Sequence, residues 1–111
     1  MNEETILAFV RATIHSAWSL EVLLLLARAS AAFWTVDAIV RELRGSLPLV
    51  HESLINLRAV GLLETASETV RYKPESPLHA DLVDGLLELY ARKPITVRRA
   101  IFTARDRCTS G

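Results

Sequence analysis

A leucine-rich segment that is apolar on nearly every side constrains this chain more than any other feature. In residues 20–26, Leu-Glu-Val-Leu-Leu-Leu-Leu, Glu21 is the single charged residue. Because a helix of this kind is stable in water only when other elements cover it, we expect it at the centre of a core. The longest stretch without Asp, Glu, Lys or Arg has nine residues, 12–20. A membrane span needs about 20 apolar residues, so we expect none.

Further helices are predicted on both sides of this central one. Apolar spacings of three and four, together with caps, place helices at 2–14, after Ser16 or Ser19, at 36–44, at 46–60 and at 77–91. Between the last two, residues 62–65 and 69–73 are predicted to form a hairpin, since the second arm alternates apolar and polar residues. Gly45 and Gly61 are interpreted as helix ends, where a left-handed residue is often needed. We therefore predict a mostly α fold with a small β-hairpin wing.

Three helices, a tight hairpin and a further helix follow the order of a winged helix-turn-helix. Residues 46–63, SLPLVHESLINLRAVGLL, resemble the recognition helix and first wing strand of ArsR- and MarR-like transcriptional regulators. The shared features are a serine cap, a proline two residues later, anchoring leucines at 54 and 57, and a Gly-Leu-Leu exit. The resemblance covers roughly residues 16–91 and implies a winged-helix core with extra N- and C-terminal helices.

The resemblance also implies a cytoplasmic, dimeric regulator that binds double-stranded DNA. In such proteins the recognition helix enters the major groove, and the wing contacts phosphates. The expected contacts are His51, Ser53 and Asn56 for bases, and Arg58, Arg71 and Lys73 for phosphates.

Two adjoining apolar rows on the helix at 77–91 make a wider face than one small domain needs. We therefore predict a homodimer that uses this helix and the N-terminal one. The predicted interface residues are Ile6, Val10, Ile14, Leu82, Val83, Leu86, Leu87 and Tyr90. On this view residues 1–93 form the winged-helix domain with its dimerisation helices, and residues 94–111 form a basic C-terminal extension.

The charge of the predicted DNA-binding region supports an alternative function. Residues 35–74 hold five basic and five acidic side chains, whereas phosphate neutralisation normally requires a basic surface. Glu52 lies on the expected outer face of the recognition helix, beside Pro48, Leu49 and Ile55. The alternative is therefore a winged-helix protein–protein interaction module that does not bind DNA.

The basic extension is a second candidate contact. Residues 1–90 carry seven basic and twelve acidic side chains, net −5, while residues 91–111 carry six basic and one acidic, net +5. The extension is interpreted as an arm for DNA or RNA, as a segment that pairs with an acidic partner or dimer mate, or as a solvated tail. Ile95, Val97, Ile101 and Phe102 favour some docking.

Catalytic and metal-binding patterns are not found in the sequence. The histidines at 15, 51 and 79 are far apart, and His79-Ala-Asp81 alone is a weak metal motif. The four glycines are scattered, and Cys108 is in no nucleophile motif. We expect no enzymatic activity, no metal site and no cofactor.

Two remaining features concern ligands and location. Trp18 and Trp34 are interpreted as core residues, although they also suit the border of a small effector pocket, which would make the chain a ligand sensor. A single cysteine fits a reducing compartment, and the acidic start Met-Asn-Glu-Glu differs from a basic signal peptide. Both observations favour a cytoplasmic protein.

Overall fold

The structure is a computed structural model of the 111-residue chain, and it describes residues 2–29 and 32–101. The elements in order are α1 (Glu3–Thr13), α2 (Ala17–Arg28), β1 (Trp34–Thr35), α3 (Val36–Leu43), α4 (Leu47–Val60), β2 (Leu63–Ala66), β3 (Thr69–Tyr72) and α5 (Pro77–Arg92). Residues 94–101 are also helical. The predicted class, mostly helical with a small antiparallel sheet, is confirmed.

Each of the five named helices begins at a short polar side chain that accepts a hydrogen bond from the first turn. The capping residues are Asn2, Ser16, Thr35, Ser46 and Ser76. The N–H groups of a first turn have no partner within the helix, so these side chains fix where each helix starts. Of the two predicted caps for the central helix, Ser16 is the one used.

The turn between α3 and α4 differs from the prediction. The left-handed residue that ends α3 is Arg44, with φ 54°, and not Gly45. Gly45 is required for another reason, because a Cβ atom on it would lie 2.8 Å from Cζ3 of Trp18. The glycine lets the Trp18 ring pack directly against the backbone between the two helices.

The predicted hairpin belongs to a three-stranded sheet. β2 and β3 pair antiparallel with Leu63 opposite Tyr72, and Ser67 takes φ 56° in the turn between them. The sequence patterns do not predict the third strand, β1, which places Trp34 opposite Val70 of β3. The strand order is β1-β3-β2, so the segment before α3 is tied to the hairpin.

The central position predicted for the leucine-rich helix is confirmed. Leu20, Val22, Leu23 and Leu26 are fully buried, and α2 contacts α3, α4 and β3. Burying a side chain of this size contributes roughly 1.5–3 kcal/mol, so this one helix supplies a large part of the hydrophobic stabilisation.

The terminal segments complete the core beyond the 16–91 region of the resemblance. α1 packs so closely on α5 that a Cβ atom on Gly85 would lie 2.6 Å from Cδ1 of Ile6. The helical segment 94–101 adds Val97, Ala100 and Ile101 to the same buried cluster. Of the residues expected to dock, Val97 and Ile101 are buried, whereas Ile95 is 69% exposed. Phe102 lies outside the described residues.

Candidate interaction surface

The helix α4 is held with one side in the core and the other in solvent. The Ser46 hydroxyl accepts from the N–H of Leu49 at 3.3 Å, and Gly61, at φ 88°, ends the helix as predicted. Val50 and Leu57 are fully buried on the inner side. The packing of this inner side fixes which residues of α4 remain available for binding.

Large apolar side chains dominate the solvent-facing side of α4. The exposed fraction is 54% for Leu47, 39% for Leu49 and 58% for Ile55. Pro48 is also exposed, as is Glu52, the only acidic residue of the helix. This surface offers hydrophobic contact area together with three polar or charged side chains, those of His51, Glu52 and Arg58.

Two of the three predicted base contacts are directed into the protein. Ser53 is 2% exposed, and its hydroxyl donates to the carbonyl of Leu49 at 2.8 Å. The amide of Asn56 donates to the Thr13 carbonyl at 2.9 Å and accepts from the His15 N–H at 3.3 Å. In this conformation Ser53 and Asn56 join α4 to its surroundings instead of presenting polar groups to DNA.

Two of the three predicted phosphate contacts are paired within the hairpin. Glu64 Oε2 lies 2.9 Å from Arg71 Nη2 and 3.3 Å from Lys73 Nζ. Both contacts lower the pKa of Glu64 below its ordinary value, and the hydrogen bond from Arg71 has the largest effect. The Arg71 guanidinium also lies 4.8 Å from the ring centroid of Phe33. One carboxylate thus pairs with both hairpin cations and neutralises one of their two positive charges.

The other two predicted contacts, His51 and Arg58, remain in solvent. Neither side chain forms a hydrogen bond or ion pair with any residue that the structure describes. Both border a cleft of about 260 Å³ between α4 and the hairpin. This cleft, which we call the α4–hairpin cleft, is lined by Val36, His51, Leu54, Ile55, Arg58, Leu63, Thr65, Ser67, Glu68, Thr69 and Val70.

Most of the predicted dimer interface is already buried within one chain. Ile6, Val10, Ile14, Leu82, Val83 and Leu86 are each at most 8% exposed, and Leu87 and Tyr90 are partly buried. α1 packs on α5 and covers the apolar side of α5 that was expected to form the interface. The inference of a surplus apolar face on α5 was therefore wrong, because it did not count α1 as part of the same core.

The first part of the basic extension pairs with the body of the same chain. Arg98 lies 3.1 Å from the Glu21 carboxylate and donates to the Tyr90 hydroxyl at 2.7 Å. Lys93 likewise pairs with Glu3 at 3.1 Å. Charge complementarity between the extension and the acidic body is thus partly satisfied within the chain. Residues 102–111, including Cys108, lie outside the described residues.

The tryptophans occupy different environments. Trp34 is partly buried against the core, whereas Trp18 borders a cleft of about 430 Å³ together with His15, Leu49 and Glu52. Of the two tryptophans, Trp18 is therefore the one that borders an open cleft, as the sequence interpretation of a small effector pocket requires.

Within residues 2–29 and 32–101, His, Cys, Asp and Glu form no group of three or more that could hold a metal ion. No single helix in these ranges is long and apolar enough to cross a membrane. Only α1 and α2 together reach that length and composition, and they meet at a bend of 116°.

Comparisons of the chain with protein-family models, with curated proteins and with solved structures find no match.

Proposed function

We propose that this chain is a winged helix that binds another protein through the solvent-facing side of α4. Support for the winged helix is the order of three helices, a hairpin and a helix, with β1 joined to β3 before α3 begins. Binding sites on a fold are argued from their own chemistry, because one fold serves many functions.

The observation that carries the proposal is the chemistry of the exposed side of α4. Leu47, Leu49 and Ile55 are between 39% and 58% exposed, while Ser53 and Asn56 bond inside the protein. Fully burying a Leu or Ile side chain contributes about 1.5–3 kcal/mol, so covering the exposed part of each would contribute roughly 1 kcal/mol. DNA offers little apolar surface to match them, and a protein partner does.

The test compares two aspartate variants at positions of equal exposure. Ile55 is 58% exposed on α4, and Leu78 is 59% exposed on α5. A partner captured on the immobilised chain is purified, and its affinity is measured for wild type, Ile55→Asp and Leu78→Asp. We expect Ile55→Asp to weaken binding at least tenfold, as is typical of a central interface residue, and Leu78→Asp to leave it unchanged. Equal affinities of the two variants would contradict the proposal.

A homodimer through α4 is one form of this function. Sedimentation at micromolar concentration identifies it, because Ile55→Asp would then convert a dimer into a monomer. A dimer that persists in Ile55→Asp would place the interface elsewhere.

DNA binding is the second candidate, and the exposed pair His51 and Arg58 beside the hairpin favours it. If only these two side chains neutralise phosphates, the DNA affinity should fall only about 3- to 12-fold when the salt concentration is raised from 50 to 200 mM. A titration of duplex DNA across that range separates the candidates. A much steeper loss of affinity with salt would indicate many phosphate contacts and would support DNA as the main ligand.

A further inference from the structure

The α4–hairpin cleft has a size and a lining that suit part of a partner protein. Its volume, about 260 Å³, is below the roughly 300–1,000 Å³ typical of pockets that enclose drug-sized ligands. Leu54, Leu63 and Val70 form an apolar lining and are each at most 8% exposed. A space of this size, apolar on the inside and polar towards its rim, fits a large apolar side chain inserted from outside.

The rim of the cleft carries separated charges. Arg58 lies on the α4 side, and its side chain has no hydrogen bond or ion pair to the described residues. Glu68 lies on the opposite side, at the tip of the hairpin. A guanidinium binds a carboxylate through paired hydrogen bonds. The negative charge of Glu68 disfavours a polyanion, so the rim suits one carboxylate placed at Arg58.

We propose that the α4–hairpin cleft receives one large apolar side chain of a partner protein, with a neighbouring Asp or Glu of that partner on Arg58. This inference rests on the proposed function and refines it, since it gives the partner a chemical description. The hydroxyl of Thr65, also in the cleft lining, is placed to bond the backbone of the inserted segment.

The test uses two blocked synthetic tetrapeptides that differ in one charge. Their sequences are Gly-Leu-Gly-Asp and Gly-Leu-Gly-Lys. Binding is followed by NMR at the methyl groups of Val36, Ile55, Leu63 and Val70. We expect the aspartate peptide to shift these signals and to bind about fivefold more tightly than the lysine peptide, as an exposed ion pair of good geometry allows.

The charge-reversal variant Arg58→Glu provides the control. Arg58 is exposed, so the variant is expected to fold, and unchanged signals away from the cleft verify this. The preference should reverse, with the lysine peptide bound more tightly. Equal binding of both peptides, shifts that lie elsewhere, or no shift at the solubility limit would each overturn the inference.

The same variant separates failure of this inference from failure of the proposed function. A captured partner that is lost with Ile55→Asp but retained fully with Arg58→Glu would leave α4 as the binding surface and exclude the carboxylate contact.

Discussion

Replacing Asn56 by alanine should destabilise the fold, although the helical pattern alone predicts a base-reading residue at this position. The Asn56 side chain holds the end of α1 to α4 through its bond to the Thr13 carbonyl, 2.9 Å, and through the bond from the His15 N–H, 3.3 Å. Alanine removes both bonds and leaves two backbone groups of the α1–α2 corner without their partner.

The expected loss follows from these two contacts. A hydrogen bond between neutral groups contributes about 0.5–1.5 kcal/mol net. The bond to Thr13 is short and partly buried, whereas His15 is exposed and its N–H can bond to water instead. We therefore expect Asn56→Ala to lower the free energy of unfolding by about 1–2 kcal/mol.

Urea denaturation at neutral pH measures this loss, with His51→Ala as the matched control. His51 is exposed and has no hydrogen bond to the described part of the chain, so its variant should stay within about 0.5 kcal/mol of wild type. Duplex DNA affinity is measured on the same proteins. An Asn56→Ala protein with wild-type stability and a large loss of DNA affinity would refute the reasoning, because the side chain would then face the groove.

Four further outcomes are expected. Gly45→Ala should cost about 1–3 kcal/mol, measured by urea denaturation, because its Cβ meets the rigid ring of Trp18. Gly85→Ala should be nearly neutral, since the atom it meets most closely is the terminal methyl group of the Ile6 side chain, and the cost of moving it is offset by the helix preference of alanine, about 1 kcal/mol. Burial raises the pKa of Tyr72 to about 12, so stability should fall between pH 10 and 12 in wild type but less in Tyr72→Phe. The lowered pKa of Glu64 predicts stabilisation at neutral pH that disappears on acidification and is missing in Glu64→Gln.

Helix starts and the α4 exit were predictable because they depend on neighbouring residues. A serine or threonine cap bonds to an N–H three positions later, and Gly61 takes a left-handed conformation that other residues rarely adopt. Gly45 looks the same in the sequence, yet its role comes from Trp18, 27 positions earlier in the chain. A purely local pattern does not distinguish these two reasons for a glycine.

The candidate site was less predictable, because a helical wheel shows only which residues share a side. It does not show that the α1–α2 corner lies beside α4 and uses Asn56. The pairing of Glu64 with Arg71 did have a sequence signal. Once the hairpin turn is placed at 67–68, the two residues fall opposite each other on neighbouring strands.

The exposed apolar surface of the described residues lies more on α4 than on α5. The wide apolar face of α5 suggested an interface, but α1 of the same chain packs on it. Six large apolar residues remain well exposed in the described ranges: Phe33, Leu47, Leu49, Ile55, Leu78 and Ile95. Three of the six lie on one helix, α4: Ile55 borders the α4–hairpin cleft, and Leu49 borders the separate cleft beside Trp18. Single exposed apolar residues are ordinary. Since α4 carries half of those in the described ranges, the partner surface is to be sought there.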